Sequence, residues 1–148
     1  MRLTSSHLPS NQVSERFVLA VALVLVLVVL AVYLISLKRK VNYERRWKEI
    51  QTLLANKNTW NDALIEADHL LDSVLKKRRY KGKTMGERLV AAQHDLTAND
   101  MVWYSHKLSN KVLNDDIKVT KAEVKKGLLG FWKALKDLSA FNQDKDKK

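Results

Sequence analysis

The stretch FVLAVALVLVLVVLAVYLISL, Phe17 to Leu37, runs for 21 residues without a charge. At about 1.5 Å per residue, a helix of that length crosses a hydrocarbon core of about 30 Å. No other feature of the chain narrows its possible folds so far. In lipid every backbone N–H and C=O must be bonded within the protein, and a lone segment meets that condition only as a helix. The abundance of valine is therefore no obstacle. The core helix of a water-soluble protein rarely stays apolar for so long without interruption. A secretory signal has an apolar region of about 7–15 residues, followed by a small-x-small cleavage site. Here the run ends in Ile35-Ser36-Leu37-Lys38-Arg39-Lys40. The sequence predicts one uncleaved N-terminal transmembrane helix over residues 17–37.

Flanking charge gives the direction. Arg2 and Arg16 precede the span, whereas Lys38, Arg39, Lys40, Arg45, Arg46 and Lys48 follow it. Cations collect on the cytoplasmic side, so the N-terminus is expected outside and the C-terminal domain in the cytoplasm of a single-pass cell-membrane protein. Residues 1–16, with four serines, Asn11, Gln12 and Pro9, are expected to form a short disordered tail. Residues 38–48 make a basic juxtamembrane segment that enters the first soluble helix. Within it, Lys38, Arg39, Lys40, Arg45 and Arg46 are candidate contacts for anionic lipid headgroups, worth ~1 kcal/mol each near the surface. The competing reading is that they only fix topology. Ala20, Ala22 and Ala31 do not form a small-xxx-small face, so the span carries no association motif.

Beyond the span, residues 49–141 alternate helical periods with turn signals. Four threonines are each followed three residues later by an acid: Thr59-Trp60-Asn61-Asp62, Thr84-Met85-Gly86-Glu87, Thr97-Ala98-Asn99-Asp100 and Thr120-Lys121-Ala122-Glu123. That is the pattern of a capping box, in which threonine and acid satisfy free N–H groups at a helix start. Apolar spacing then predicts helices over about Tyr43–Asn56, Trp60–Arg79, Met85–His94, Asp100–Leu113 and Lys121–Phe141. No segment alternates as a strand does. The expected fold is all-α: the transmembrane helix followed by a four- to five-helix antiparallel bundle, with a charged disordered tail at 142–148. Trp47, Trp60, Trp103 and Trp132 fall on different helices and are expected to share the core. Gly127 and Gly130 inside the last helix suggest close approach of a neighbouring helix.

Several chemistries are excluded or weak. The chain has no cysteine, which removes disulfides, thiolate metal sites and a Cys nucleophile. Gly82-Lys83-Thr84 ends like a phosphate loop, but Lys77 stands where the first glycine belongs, and a helix precedes it rather than a strand. Anion binding at the following helix start stays open, with Arg78, Arg79, Lys81, Lys83 and Thr84 as possible phosphate contacts. A solvated basic loop is the plainer reading. Glu66-Ala67-Asp68-His69 is half of a di-iron motif, and the other half is missing. Glu66 and His69 are expected at the surface. His94 and His106 are read as surface or capping residues, and neither catalytic nor metal residues nor a cofactor are expected.

The run His106-Lys107-Leu108-Ser109-Asn110-Lys111-Val112-Leu113-Asn114-Asp115 resembles the helix end of HEPN-like bundles. Ala63–Asp68 and Tyr80–Leu89 resemble small uncharacterised bacterial membrane-anchored bundles. The likeness spans about residues 58–140. HEPN ribonucleases use an Arg and a His, usually in a composite site across a dimer. The resemblance puts the Arg at Ser109 and the His at Asn114, and only Asn110 agrees. Serine carries no charge and asparagine does not titrate, so the likeness implies a degenerate site. His106, Ser109, Asn110, Lys111 and Asn114 are left as a candidate polar binding surface. The net charge of +11 points to an anionic partner, membrane or nucleic acid. The expectation is a non-catalytic binding or scaffolding module at the cytoplasmic membrane face, with anionic headgroups and an unknown protein as partners and a homodimer open. The alternative is a membrane-tethered HEPN-like RNA-binding or ribonuclease-type bundle.

Overall fold

The computed structural model describes the backbone of residues 10–115 and 117–141, and the side chains of these except 10–14 and 39–41. The expected tail 142–148 and the first nine residues lie outside the described part, as do the side chains of Arg39 and Lys40. The chain divides into two units, residues 1–38 and 39–148. The described residues form helices and turns and no strand: α1 (Ser10–Thr52), α2 (Trp60–Lys77), α3 (Met85–Ala92), α4 (Asn99–Asp115) and α5 (Lys121–Asp137).

In the first unit, α1 is long and apolar enough to cross a membrane, and no part of its apolar window is buried within the protein. Its large apolar side chains from Phe17 to Leu37 are 38–70% exposed. That exposure separates this helix from a core helix of equal hydropathy, which would be covered by its own protein.

The second unit has a core of its own. α5 packs on α4 and α2, and α2 packs on α4 and α3. Leu64, Leu70, Leu71, Leu75, Leu89, Val102, Phe131 and Leu135 are all but sealed from solvent. Of the four tryptophans, only Trp47 is buried; Trp60, Trp103 and Trp132 lie partly open against the core. The indole of Trp60 shows one reason, since its Nε1–H donates to the Leu54 carbonyl at 3.2 Å and stays near the rim.

The four capping threonines part company. Thr120 forms the full capping box with Glu123. Thr84 accepts from the Glu87 N–H, but the Glu87 carboxylate takes the N–H of Lys83 instead of that of Thr84. Thr59 makes no cap; its hydroxyl lies 2.6 Å from the Leu53 carbonyl and 2.9 Å from that of Asn56. Leu53 opens the 3₁₀ turn Leu53–Ala55 that follows α1, and Asn56 caps that turn. Thr97 stands before α4 and donates through N–H and hydroxyl to Asp137 on α5. A tertiary acceptor thus displaces the local one.

α2 and α5 end earlier than periodicity predicts, for a shared reason. Arg79 and Ser139 take φ of 64° and 48°. In each case the next N–H reaches back five residues, Tyr80 to Leu75 and Ala140 to Leu135. This left-handed cap closes the helix and satisfies its last carbonyls. The glycines of α5 do mark a close approach. A Cβ on Gly130 would press into Ser105 Oγ and stand 2.6 Å from the Met101 carbonyl oxygen. The Ser105 hydroxyl lies 2.7 Å from the carbonyl oxygens of both Gly127 and Met101, tying α4 to α5.

Candidate functional site

Three helices each carry an ionisable residue on an otherwise uncharged, buried stripe. On α2, Asp68 lies between Leu64 and Leu71; on α3, Arg88 lies between Met85 and Ala92; on α4, His106 lies between Val102 and Ser109. Helical spacing therefore turns all three inward. They are 7%, 5% and 9% exposed. Around them opens a pocket of about 430 Å³, lined by Asp68, Asp72, Thr84, Arg88, His106 and Asn110 among others.

Two locks build the pocket. In the first, His106 Nδ1 meets Asp68 Oδ1 at 2.9 Å and Nε2 meets the Asn110 amide nitrogen at 3.2 Å. The tautomer that satisfies both has Nδ1–H donating to the carboxylate and Nε2 accepting from Asn110. Trp103 stands edge-on to the imidazole at 6.1 Å between ring centres. Gly86 brings the first turn of α3 against the same edge: a Cβ there would lie 3.9 Å from His106 Nε2. Burial pushes the Asp68 carboxyl above the 3.8 of a free aspartate, although the hydrogen bond and charge of His106 pull the other way.

In the second lock, Arg88 Nε and Nη2 reach Asp72 Oδ1 at 2.7 and 2.5 Å, and Nη1 donates to the Gly82 carbonyl at 2.8 Å. Lys76 takes the other Asp72 oxygen at 2.7 Å. Partial burial of Asp72 works to raise its carboxyl, but the bonds from Lys76 and Arg88 win and hold it below 3.8. The lock also needs Gly82. Its φ is 152°, and a Cβ there would stand 2.7 Å from the backbone nitrogen of Arg88.

The sequence-derived candidates scatter. The five-residue polar surface on α4 does not form. His106 and Asn110 join the pocket, Ser109 is 2% exposed in the core, and Lys111 and Asn114 face solvent. At 100° per residue, Ser109 and Asn114 point about 140° apart, so they do not converge on one ligand. Arg78, Arg79, Lys81, Lys83 and Thr84 are exposed around the α2–α3 loop. At the start of α3, where the sequence leaves anion binding open, the Thr84 hydroxyl accepts from the Glu87 N–H and the Glu87 carboxylate from the N–H of Lys83, just before the helix. In the juxtamembrane group Lys38 is exposed. Arg45 bonds Asn42 and pairs with Glu49, and Arg46 pairs with Glu66 on α2 at 3.7 Å. Glu66 and His69 lie at the surface as expected, but His106 does not.

Among the described residues no cluster of three His, Asp or Glu side chains is placed to hold a metal. Asp72 and Arg88 went unnoticed in the sequence. Their signal was an ionisable residue on or beside an apolar stripe. No protein family, curated protein or solved structure matches the chain.

Proposed function

We propose that the chain is a single-pass membrane protein, N-terminus outside, that carries an antiparallel helical bundle as a non-catalytic binding module at the cytoplasmic face. Support for the anchor is the uncovered apolar helix. Support for the non-catalytic part rests on one observation: both ring nitrogens of His106 are already engaged, by Asp68 and by Asn110. A general base needs a ring nitrogen within reach of the substrate proton. The residues that the HEPN likeness would make catalytic, Ser109 and Asn114, face in different directions and carry neither charge nor imidazole.

The test uses the full chain with a C-terminal tag. In inside-out membrane vesicles protease removes the tag, and carbonate leaves the chain in the membrane. Protection of the tag overturns the orientation, and release by carbonate overturns the anchor. The purified chain in zwitterionic nanodiscs leaves single-stranded RNA intact. Cleavage that is lost in His106→Ala, or tight salt-dependent RNA binding, would replace this reading with the ribonuclease-type or RNA-binding one.

A further inference from the structure

A second opening of about 430 Å³ lies between the end of α1 and α5, and its chemistry is unlike that of the pocket. One wall is Trp47, Gln51 and Leu54, spaced i, i+4, i+7 along α1 and the turn after it. The other is Lys125, Leu128, Leu129 and Trp132, spaced i, i+3, i+4, i+7 on α5. Two walls with helical period make a trough that a third helix can enter with its own apolar stripe. Leu129, a large apolar side chain, is 44% exposed at its centre.

Charge selects the occupant. Among the described residues no acid lines the trough, while Lys125 does. Lys121 lies one turn before Lys125 on the same face and is exposed. Lys136 holds its ammonium 4.5 Å from the ring centre of Trp132 at the other end. The two acids of α5 are spent elsewhere, Glu123 on Thr120 and Asp137 on Thr97. A second copy of the chain, itself at +11, would bring like charge to this stripe. We infer that the trough between α1 and α5 docks an acidic amphipathic helix of a partner protein, its apolar face on Leu129 and Trp132 and its carboxylates on Lys121 and Lys125. The inference gives the binding module a surface and a partner chemistry. It rests on that reading of the bundle, but not on the anchor or its orientation.

The probe is a fluorescein-labelled amphipathic peptide of about five turns, leucine on one face and glutamate on the other. Its control carries lysine in place of glutamate. Both are titrated by anisotropy with the full chain in phosphatidylcholine nanodiscs. The glutamate peptide binds, more weakly at higher salt, and the lysine peptide does not. Leu129→Glu weakens binding about tenfold and Lys125→Glu about fivefold, with the helix content of the chain unchanged. Equal binding of the two peptides overturns the proposal, and so does wild-type affinity in Leu129→Glu. A chain that dimerises in detergent and becomes monomeric in Leu129→Glu assigns the trough to a second copy and also overturns it. None of these failures alters tag accessibility or carbonate resistance, so the anchor and its orientation stand or fall separately.

Discussion

The pocket among α2, α3 and α4 and the trough between α1 and α5 enclose similar volumes, about 430 Å³ each, and differ in how their side chains are used. In the pocket the main polar side chains hold one another: Asp68 with His106, His106 with Asn110, Asp72 with Arg88 and Lys76. In the trough, apolar side chains line an opening that no described residue of the bundle covers. Two openings of one size therefore serve opposite ends. A buried polar group left unpaired costs more than a pair gains, so mutual pairing in the pocket fixes how three helices meet. Apolar area left open does nothing for the bundle and is available to a partner. Mutations in the pocket should register as stability, and mutations in the trough as binding.

The largest break is expected at Arg88. Arg88→Met removes the guanidinium from Asp72 and from the Gly82 carbonyl and leaves a carboxylate that is 16% exposed. Breaking a buried pair from one side costs about 3–5 kcal/mol, and the low end, about 3, applies because Lys76 still neutralises Asp72. All four tryptophans lie in residues 39–148, so denaturant unfolding followed by their fluorescence reads this unit. His106→Leu is expected to cost about 2 kcal/mol by stranding the buried Asp68 carboxyl. Asp68→Leu combined with His106→Leu should cost less than the two singles added, because neither partner is then left alone. Strict additivity would mean the pair holds no shared energy and would erase the contrast between the openings.

Why the sequence foretold the trough's walls better than the pocket follows from the physics of each. Trp47, Leu54, Leu128 and Trp132 fall on apolar periods, and periodicity reads off one helix at a time. The pocket depends on which helices meet. His106 lies on the stripe Val102, Ser105, His106, Ser109, Val112, all of them buried, yet its neighbours in the chain, Lys107, Asn110 and Lys111, gave it the look of a surface site. Asp68 looked like part of an exposed E-x-x-H because Glu66 and His69 do face solvent. An ionisable residue on an apolar stripe needs a partner, and that partner stands 38 residues away along the chain, beyond the reach of any local pattern. Thr97 failed for the same reason, since its partner Asp137 is 40 residues distant.

Acid sharpens the contrast within the pocket, because its two aspartates respond with opposite sign. Asp72, held below 3.8, contributes stability that is present above 3.8 and is lost as pH falls through its folded value. Asp68, pushed above 3.8 by burial, does the reverse: its contribution is full below 3.8 and is lost as pH rises through its folded value. Asp72→Asn should therefore destabilise at neutral pH, with the gap to wild type closing below about pH 3.8. Asp68→Asn should gain on wild type as pH rises above that point. The check is the unfolding midpoint of the three chains from pH 3 to 7. Parallel curves would show that neither carboxyl is perturbed by its lock.

The smallest effect on stability is expected where the proposal places the largest effect on binding. Leu129 is 44% exposed, and its inward neighbour Leu128 already fills the core position on that turn. Leu129→Ser removes apolar surface that is mostly wet in the free protein, so the unfolding free energy should move by no more than about 0.5 kcal/mol. The same substitution removes the apolar centre of the trough and should weaken the glutamate peptide. Arg88→Met should do the opposite while the chain is still folded, lowering stability and leaving peptide affinity alone. If Leu129→Ser proved as costly to folding as Arg88→Met, the trough would be part of the core, and the division of labour between the two openings would not exist.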